Sequence, residues 1–91
     1  MTLNEIMARP DLTEAGKIQE ILNIDGHGGK YAVWCPSDIN WSQNCKWFRS
    51  LRTARAYAML ANTSLSSLNE MEVLGPDGTW HEAGWEIEVS A

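Results

Sequence analysis

The chain has 91 residues, 44% of them hydrophobic and 21% charged, which is the composition of a folded domain and excludes a disordered or low-complexity chain. One core of this size buries about 60–65% of the surface of the unfolded chain, which argues for a single domain over 1–91 and against a deep cleft between lobes. The net charge of −5 excludes a general nucleic-acid coat, yet the charge is uneven: residues 1–29 carry −3, residues 30–62 carry +4 and residues 63–91 carry −6.

Thr2-Leu3-Asn4-Glu5 has capping-box spacing, and Leu3, Ile6 and Met7 give a short apolar side, so a helix of one to two turns is predicted to end before Pro10. Residues 11–24 are ambiguous. Leu12, Ala15, Ile18 and Leu22 fit a helical face, whereas Gly16 weakens it and Ile18, Ile21 and Ile24 are β-branched; the reading favours a strand over 18–25. Asp25-Gly26-His27-Gly28-Gly29 then reads as a hairpin turn into a second strand over 30–35, closed by Pro36.

After a polar loop containing Trp41, the segment 44–49 is predicted as a third strand with Trp47 and Phe48 on opposite faces. From Ser50 to about Ala61 a helix is predicted, with Leu51, Ala54, Tyr57, Ala58 and Ala61 as the buried stripe and Arg52 and Arg55 on the wet side. The last third reads as a hairpin, 69–74 and 79–89, turning at Gly75-Pro76-Asp77-Gly78, where Pro suits the first corner and Gly the exit; Gly84 marks a bulge. The expected fold class is α+β: a single antiparallel sheet in the order β-β-β-α-β-β, with one main helix packed on one face and a short N-terminal helix.

Charged residues punctuate the first twenty positions (Glu5, Arg9, Asp11, Glu14, Lys17) and the longest apolar run is Ala56 to Ala61, so neither a signal peptide nor a membrane segment is expected and the location is read as cytoplasmic. Cys35 and Cys45 do not make a disulfide framework; reduced, packed thiols are expected.

Catalytic and cofactor signatures fail on spacing. Gly26-His27-Gly28-Gly29-Lys30 lacks the four-residue gap, the Ser/Thr after Lys and the following helix of a phosphate loop. Cys35, Cys45, His27 and His81 lack the close pairing that pre-forms half a zinc site, and no nucleophile elbow occurs. Asp77 and His81 read as a turn former and a surface residue. No enzyme activity, cofactor or metal is expected.

Two surfaces remain. If Met71, Val73, Trp85, Ile87 and Val89 face the helix, then Glu70, Glu72, Glu86 and Glu88 face away from it; Glu82 and Trp80 are counted with them as candidate partner-binding residues. Like charges gathered on one sheet face repel, so this face either meets neighbouring cations within the fold or awaits a basic partner. Five tryptophans (34, 41, 47, 80 and 85) exceed what one helix-on-sheet layer can bury at about 200 Å² each, and Trp41 is the first choice for a contact residue. The second surface is the basic aromatic run Lys46, Trp47, Arg49, Arg52 and Arg55, whose chemistry suits single-stranded nucleic acid; its simpler role is to neutralise acidic neighbours.

The run from Phe48 to Ala58, followed by Glu72-Val73-Leu74 and Gly78-Thr79-Trp80, resembles the strand-helix-hairpin of many small phage and mobile-element proteins, over Cys45 to Ile87. In size, charge and layout the chain is similar to acidic anti-CRISPR proteins of phages. That resemblance implies inhibition by docking on the basic nucleic-acid surface of a CRISPR effector, in the cytoplasm of a host bacterium, and transfers no individual residue.

The expected function is therefore a small acidic inhibitor that binds a protein partner, a basic nucleic-acid-binding complex, through Glu70, Glu72, Glu82, Glu86, Glu88, Trp41 and Trp80. The alternatives are a nucleic-acid-binding regulator using Lys46 to Arg55, with direct nucleic-acid binding the less favoured, and a phage structural protein that forms a homodimer or larger oligomer through its outer sheet face.

Overall fold

The computed structural model describes residues 1–35, 40, 45–64 and 71–83. Along the described chain the elements are α1 (Leu3–Ala8), α2 (Glu14–Asp25), β1 (Tyr31–Trp34), β2 (Lys46–Phe48), α3 (Leu51–Ser64), β3 (Glu72–Leu74) and β4 (Trp80–Glu82). The strands form one antiparallel sheet in the order β2-β1-β3-β4, with α3 packed on it, so the chain is an α+β domain as its sequence indicates.

The first two helix starts have local causes. The Thr2 hydroxyl accepts the Glu5 N–H at 3.3 Å and opens α1, as the capping-box spacing predicts. The Thr13 hydroxyl accepts the Gly16 N–H at 3.1 Å and opens α2, with Glu14 in the first turn where a negative charge suits the helix dipole.

The segment 18–25 is thus helix and not strand, which corrects the first of the predicted strands. Ile18 and Ile21, three residues apart, are buried against α3, and that tertiary contact outweighs the modest helix penalty of β-branched residues. Gly16 lies in the first turn, where its backbone N–H is taken by the cap. The glycine-rich segment 26–29 consequently joins a helix to a strand and is not a hairpin turn. Gly26 ends α2 by donating its N–H to the Leu22 carbonyl at 2.7 Å.

The sheet follows the predicted alternation. Phe48 is fully buried and Trp47 exposed, and the pairs Tyr31 with Phe48, Ala32 with Trp47 and Val33 with Lys46 set the β1–β2 register. The β3–β4 hairpin turns where expected: the Gly78 N–H reaches the Gly75 carbonyl at 3.1 Å, and Gly78 sits at φ +77°, a conformation that favours glycine. Gly84 and the 84–89 continuation lie outside the described residues.

Helix α3 lies on the side of the sheet that carries Val33, Phe48 and Val73. Ala54, Ala58 and Ala61 are fully buried and Tyr57 nearly so, with the Tyr57 ring 5.3 Å from that of Phe48; Leu51 is half-buried. The alanines are small enough for α3 to be covered by the sheet on one side and by α2 on another. At the far end of the helix the Asn62 amide oxygen accepts the Met71 N–H at 2.9 Å, tying α3 to the strand that follows.

A polar contact pins the start of α3. Asp25, the last residue of α2, is buried, and its carboxylate accepts the backbone N–H of Arg49 at 2.9 Å and of Ser50 at 3.0 Å and the hydroxyl of Thr53. A carboxylate opposes the dipole of α2 at its C-terminus but complements that of α3 at its N-terminus.

Candidate protein-docking face

The side of the sheet away from α3 is built from alternate residues of all four strands. Side chains two apart on a strand share a face, so Val33, Phe48, Val73 and the half-buried His81 point to the helix side, and Ala32, Trp34, Trp47, Glu72, Leu74, Trp80 and Glu82 to the other. The register aligns these in two rungs. Trp34 on β1 lies across from Glu72 on β3, which lies across from Glu82 on β4. One step along, Trp47 pairs with Ala32 and Leu74 with Trp80.

Three features define this face. Trp47 and Trp80 are 45% and 37% exposed, a large fraction for side chains of this size. Trp34 and Trp80, on the two strands that flank β3, bring their rings to 4.8 Å at 33°, and the Trp34 indole N–H donates to a Glu72 oxygen at 3.0 Å. Glu72 and Glu82 face one another across β3 and β4, where directly opposed side chains stand about 5 Å apart at Cβ and like charges repel.

Whether the acidic residues are neutralised inside the fold has a direct answer for those described. Neither Glu72 nor Glu82 has a cation within ion-pair distance among the described residues, and Lys46, Arg52 and Arg55 meet no described carboxylate. Among the described residues Arg9 pairs with Asp11 and Arg49 with Asp25, and the His81 ring lies against the Asp77 carboxylate. Topology explains the separation: Lys46 is on β2, at the opposite edge of the sheet from β4, and its side chain belongs to the helix side.

Of the residues read from sequence as a partner face, the fold brings Glu72, Glu82 and Trp80 together. Glu70, Glu86, Glu88 and Trp41 lie outside the described residues. Trp34 was missed, although its alternation with Val33 along β1 already put it on the outer face; its neighbours depend on a β1–β3 pairing that no local pattern reveals. Asp77 and His81 are more than a turn former and a surface residue, since His81 Nε2 lies 3.1 Å from Asp77 Oδ1. Hydrogen bonds from His81 and Thr79 hold the Asp77 carboxyl down at about 2.

The basic aromatic run does not form one surface. Trp47 projects from the outer face, whereas Arg52 and Arg55 belong to α3 on the other side of the sheet, and Arg49 turns toward Asp25. The Arg55 Nε is buried with no hydrogen-bond partner among the described residues. Stacking and phosphate neutralisation need the aromatic ring and the cations on one track. We therefore expect no gel shift of single- or double-stranded DNA or RNA by this chain at low salt, the condition most favourable to such binding.

Among the described residues no three His, Cys, Asp or Glu side chains are grouped to hold a metal ion. Cys35 and Cys45 are half-buried thiols, and burial pushes the Cys45 thiol pKa up, away from the reactive thiolate. No described helix is long and apolar enough to cross a membrane. In comparisons with protein-family models, characterised proteins and solved structures, the chain has no match.

Proposed function

We propose that this chain is a small acidic docking domain that binds a basic, nucleic-acid-handling protein complex through the sheet face opposite α3 and blocks it stoichiometrically. The observation that carries this reading is the opposed pair Glu72 and Glu82, without a described counter-ion, set beside the partly exposed ring of Trp80, which is tilted against Trp34. Charged rims around exposed tryptophan are the composition of a binding hot spot, and opposed like charges gain most from a partner that brings the missing cations. The effector of a CRISPR system, with its basic nucleic-acid channel, is the partner class that the resemblance to acidic phage inhibitors suggests.

The test is affinity purification of the chain from its natural host followed by mass spectrometry, at two salt concentrations. Recovery of a DNA- or RNA-handling complex is expected, falling steeply between about 0.05 and 0.5 M salt as screening shortens from over 10 Å to under 5 Å. Charge reversal by Glu72→Lys with Glu82→Lys is expected to abolish it. Recovery of no such complex, or equal recovery by the reversed variant, sinks the reading. So does a chain that is wholly self-associated through this face at micromolar concentration, which would assign the tryptophans to a homo-oligomer.

A further inference from the structure

We infer that the residue this face captures is an arginine on the partner's surface, with its guanidinium held between the Glu72 and Glu82 carboxylates and stacked against Trp80. This rests on the docking role of the same face and names the chemistry of its occupant. Three observations converge on it.

The two carboxylates lie directly across a β-ladder with no described cation between them, so a single positive group placed there meets both. One oxygen of Glu72 is already fixed by the Trp34 indole N–H at 3.0 Å, which orients the carboxylate and leaves its second oxygen for an incoming donor. Trp34 and Trp80, 4.8 Å apart, put an aromatic wall beside these oxygens, with Trp80 still 37% exposed.

Planar donors that must reach two separate carboxylates while lying on an indole describe guanidinium better than ammonium. Arginine presents five N–H donors in a rigid fork, is more weakly hydrated than lysine and stacks on tryptophan faces. A lysine could answer the charge but not the stacking and the fork together. Divalent metal ions fit poorly, because the indole N–H occupies one Glu72 oxygen and only two carboxylates are at hand among the described residues.

The whole chain is titrated with three peptides of one sequence, in which glycine and serine separate three arginines, three lysines or three citrullines. Tryptophan fluorescence and the indole N–H signals in 15N NMR report binding. The arginine peptide is expected to move the Trp34 and Trp80 indole signals and to bind at least about fivefold more tightly than the lysine peptide; citrulline, neutral but of the same shape, is expected not to bind. Glu82→Gln is expected to weaken the arginine peptide about tenfold, which corresponds to about 1.4 kcal/mol. Glu20→Gln, the same charge change on α2, is expected to leave it unchanged.

Equal affinity for the arginine and lysine peptides overturns the inference, as does arginine binding that survives Glu82→Gln or that moves only Trp47. Glu82 is exposed, so its substitution does not endanger folding. The two levels of reading fail separately. A captured basic complex that binds through this face without arginine keeps the docking role and rejects its occupant; a specific arginine site without any such complex does the reverse.

Discussion

Replacing Asp25 with alanine is expected to destabilise the domain by about 2–5 kcal/mol, out of a total of about 5–14 kcal/mol for a chain of this length. The carboxylate accepts two backbone N–H groups and the Thr53 hydroxyl while only 8% of its side chain is exposed, so deletion removes the acceptor of the Arg49 and Ser50 N–H groups at the start of α3, whereas the Thr53 hydroxyl keeps the Ser50 carbonyl at 2.9 Å. Arg49 adds little to this: its Nε is 3.5 Å away and its side chain is 74% exposed, so solvent screens the pair. Urea unfolding measures the loss, and Asp25→Asn should fall between the wild type and Asp25→Ala, because an amide offers one acceptor where the carboxylate offers two. Loss of less than about 1 kcal/mol in Asp25→Ala would show that these donors find other partners.

The same residue gives the domain a dependence on acid. Burial alone would raise the Asp25 pKa, but the hydrogen bonds from Thr53, Arg49 and Ser50 outweigh it, and the net shift is downward. A carboxyl with a depressed folded pKa contributes stability that is complete above its unfolded value, near 3.9, and is lost as pH falls through the folded value. Asp11 and Asp77 are both lowered to about 2, the first by Arg9 and the second by His81 and Thr79, so they titrate in the same acid range. The contribution of Asp25 is therefore read as a difference. Stability measured from pH 6 to pH 2 should fall less steeply in Asp25→Asn than in the wild type, and parallel curves would contradict the assignment.

Asp25 also shows where sequence reasoning stops. The sheet strands, α3 and the hairpin turn are legible because each is specified by its own residues: Trp47 and Phe48 alternate, Ala54, Tyr57, Ala58 and Ala61 recur at helical spacing, and Pro76 and Gly78 suit a turn. Helix α2 is not, because Ile18, Ile21 and Ile24 favour a strand locally and only packing on α3 reverses the preference. The acidic pair of the candidate site follows from period-two alternation within β3 and β4. Trp34 and Asp25 do not: the partners of Trp34 stand 38 residues or more away and arrive through the crossover from β2 by α3 to β3, and those of Asp25 stand 24–28 residues away, beyond the β1–β2 pair. Contacts that depend on topology have no local signature to read.

A second large effect is expected at Gly29, and its neighbour supplies the control. The Gly28–Gly29 segment runs against the end of β2, where the Gly28 N–H reaches the Trp47 carbonyl at 3.3 Å. A Cβ on Gly29 would stand 2.1 Å from the Phe48 carbonyl oxygen and 2.5 Å from the Arg49 nitrogen, both backbone atoms that cannot swing aside. A Cβ on Gly28 would meet nothing within 4 Å, so alanine there incurs only the strain of φ +118°. Gly28→Ala should therefore cost about 1–2 kcal/mol and Gly29→Ala about 3 kcal/mol or more, because the loop must lift off β2. The stretch it lifts from, Trp47 to Arg49, runs directly into the N–H groups that Asp25 holds. Once the loop has moved, less of that grip remains to be lost, so Gly29→Ala combined with Asp25→Ala should cost less than the sum of the single variants. Strict additivity would mean that the glycine contact and the buried carboxylate secure the start of α3 independently.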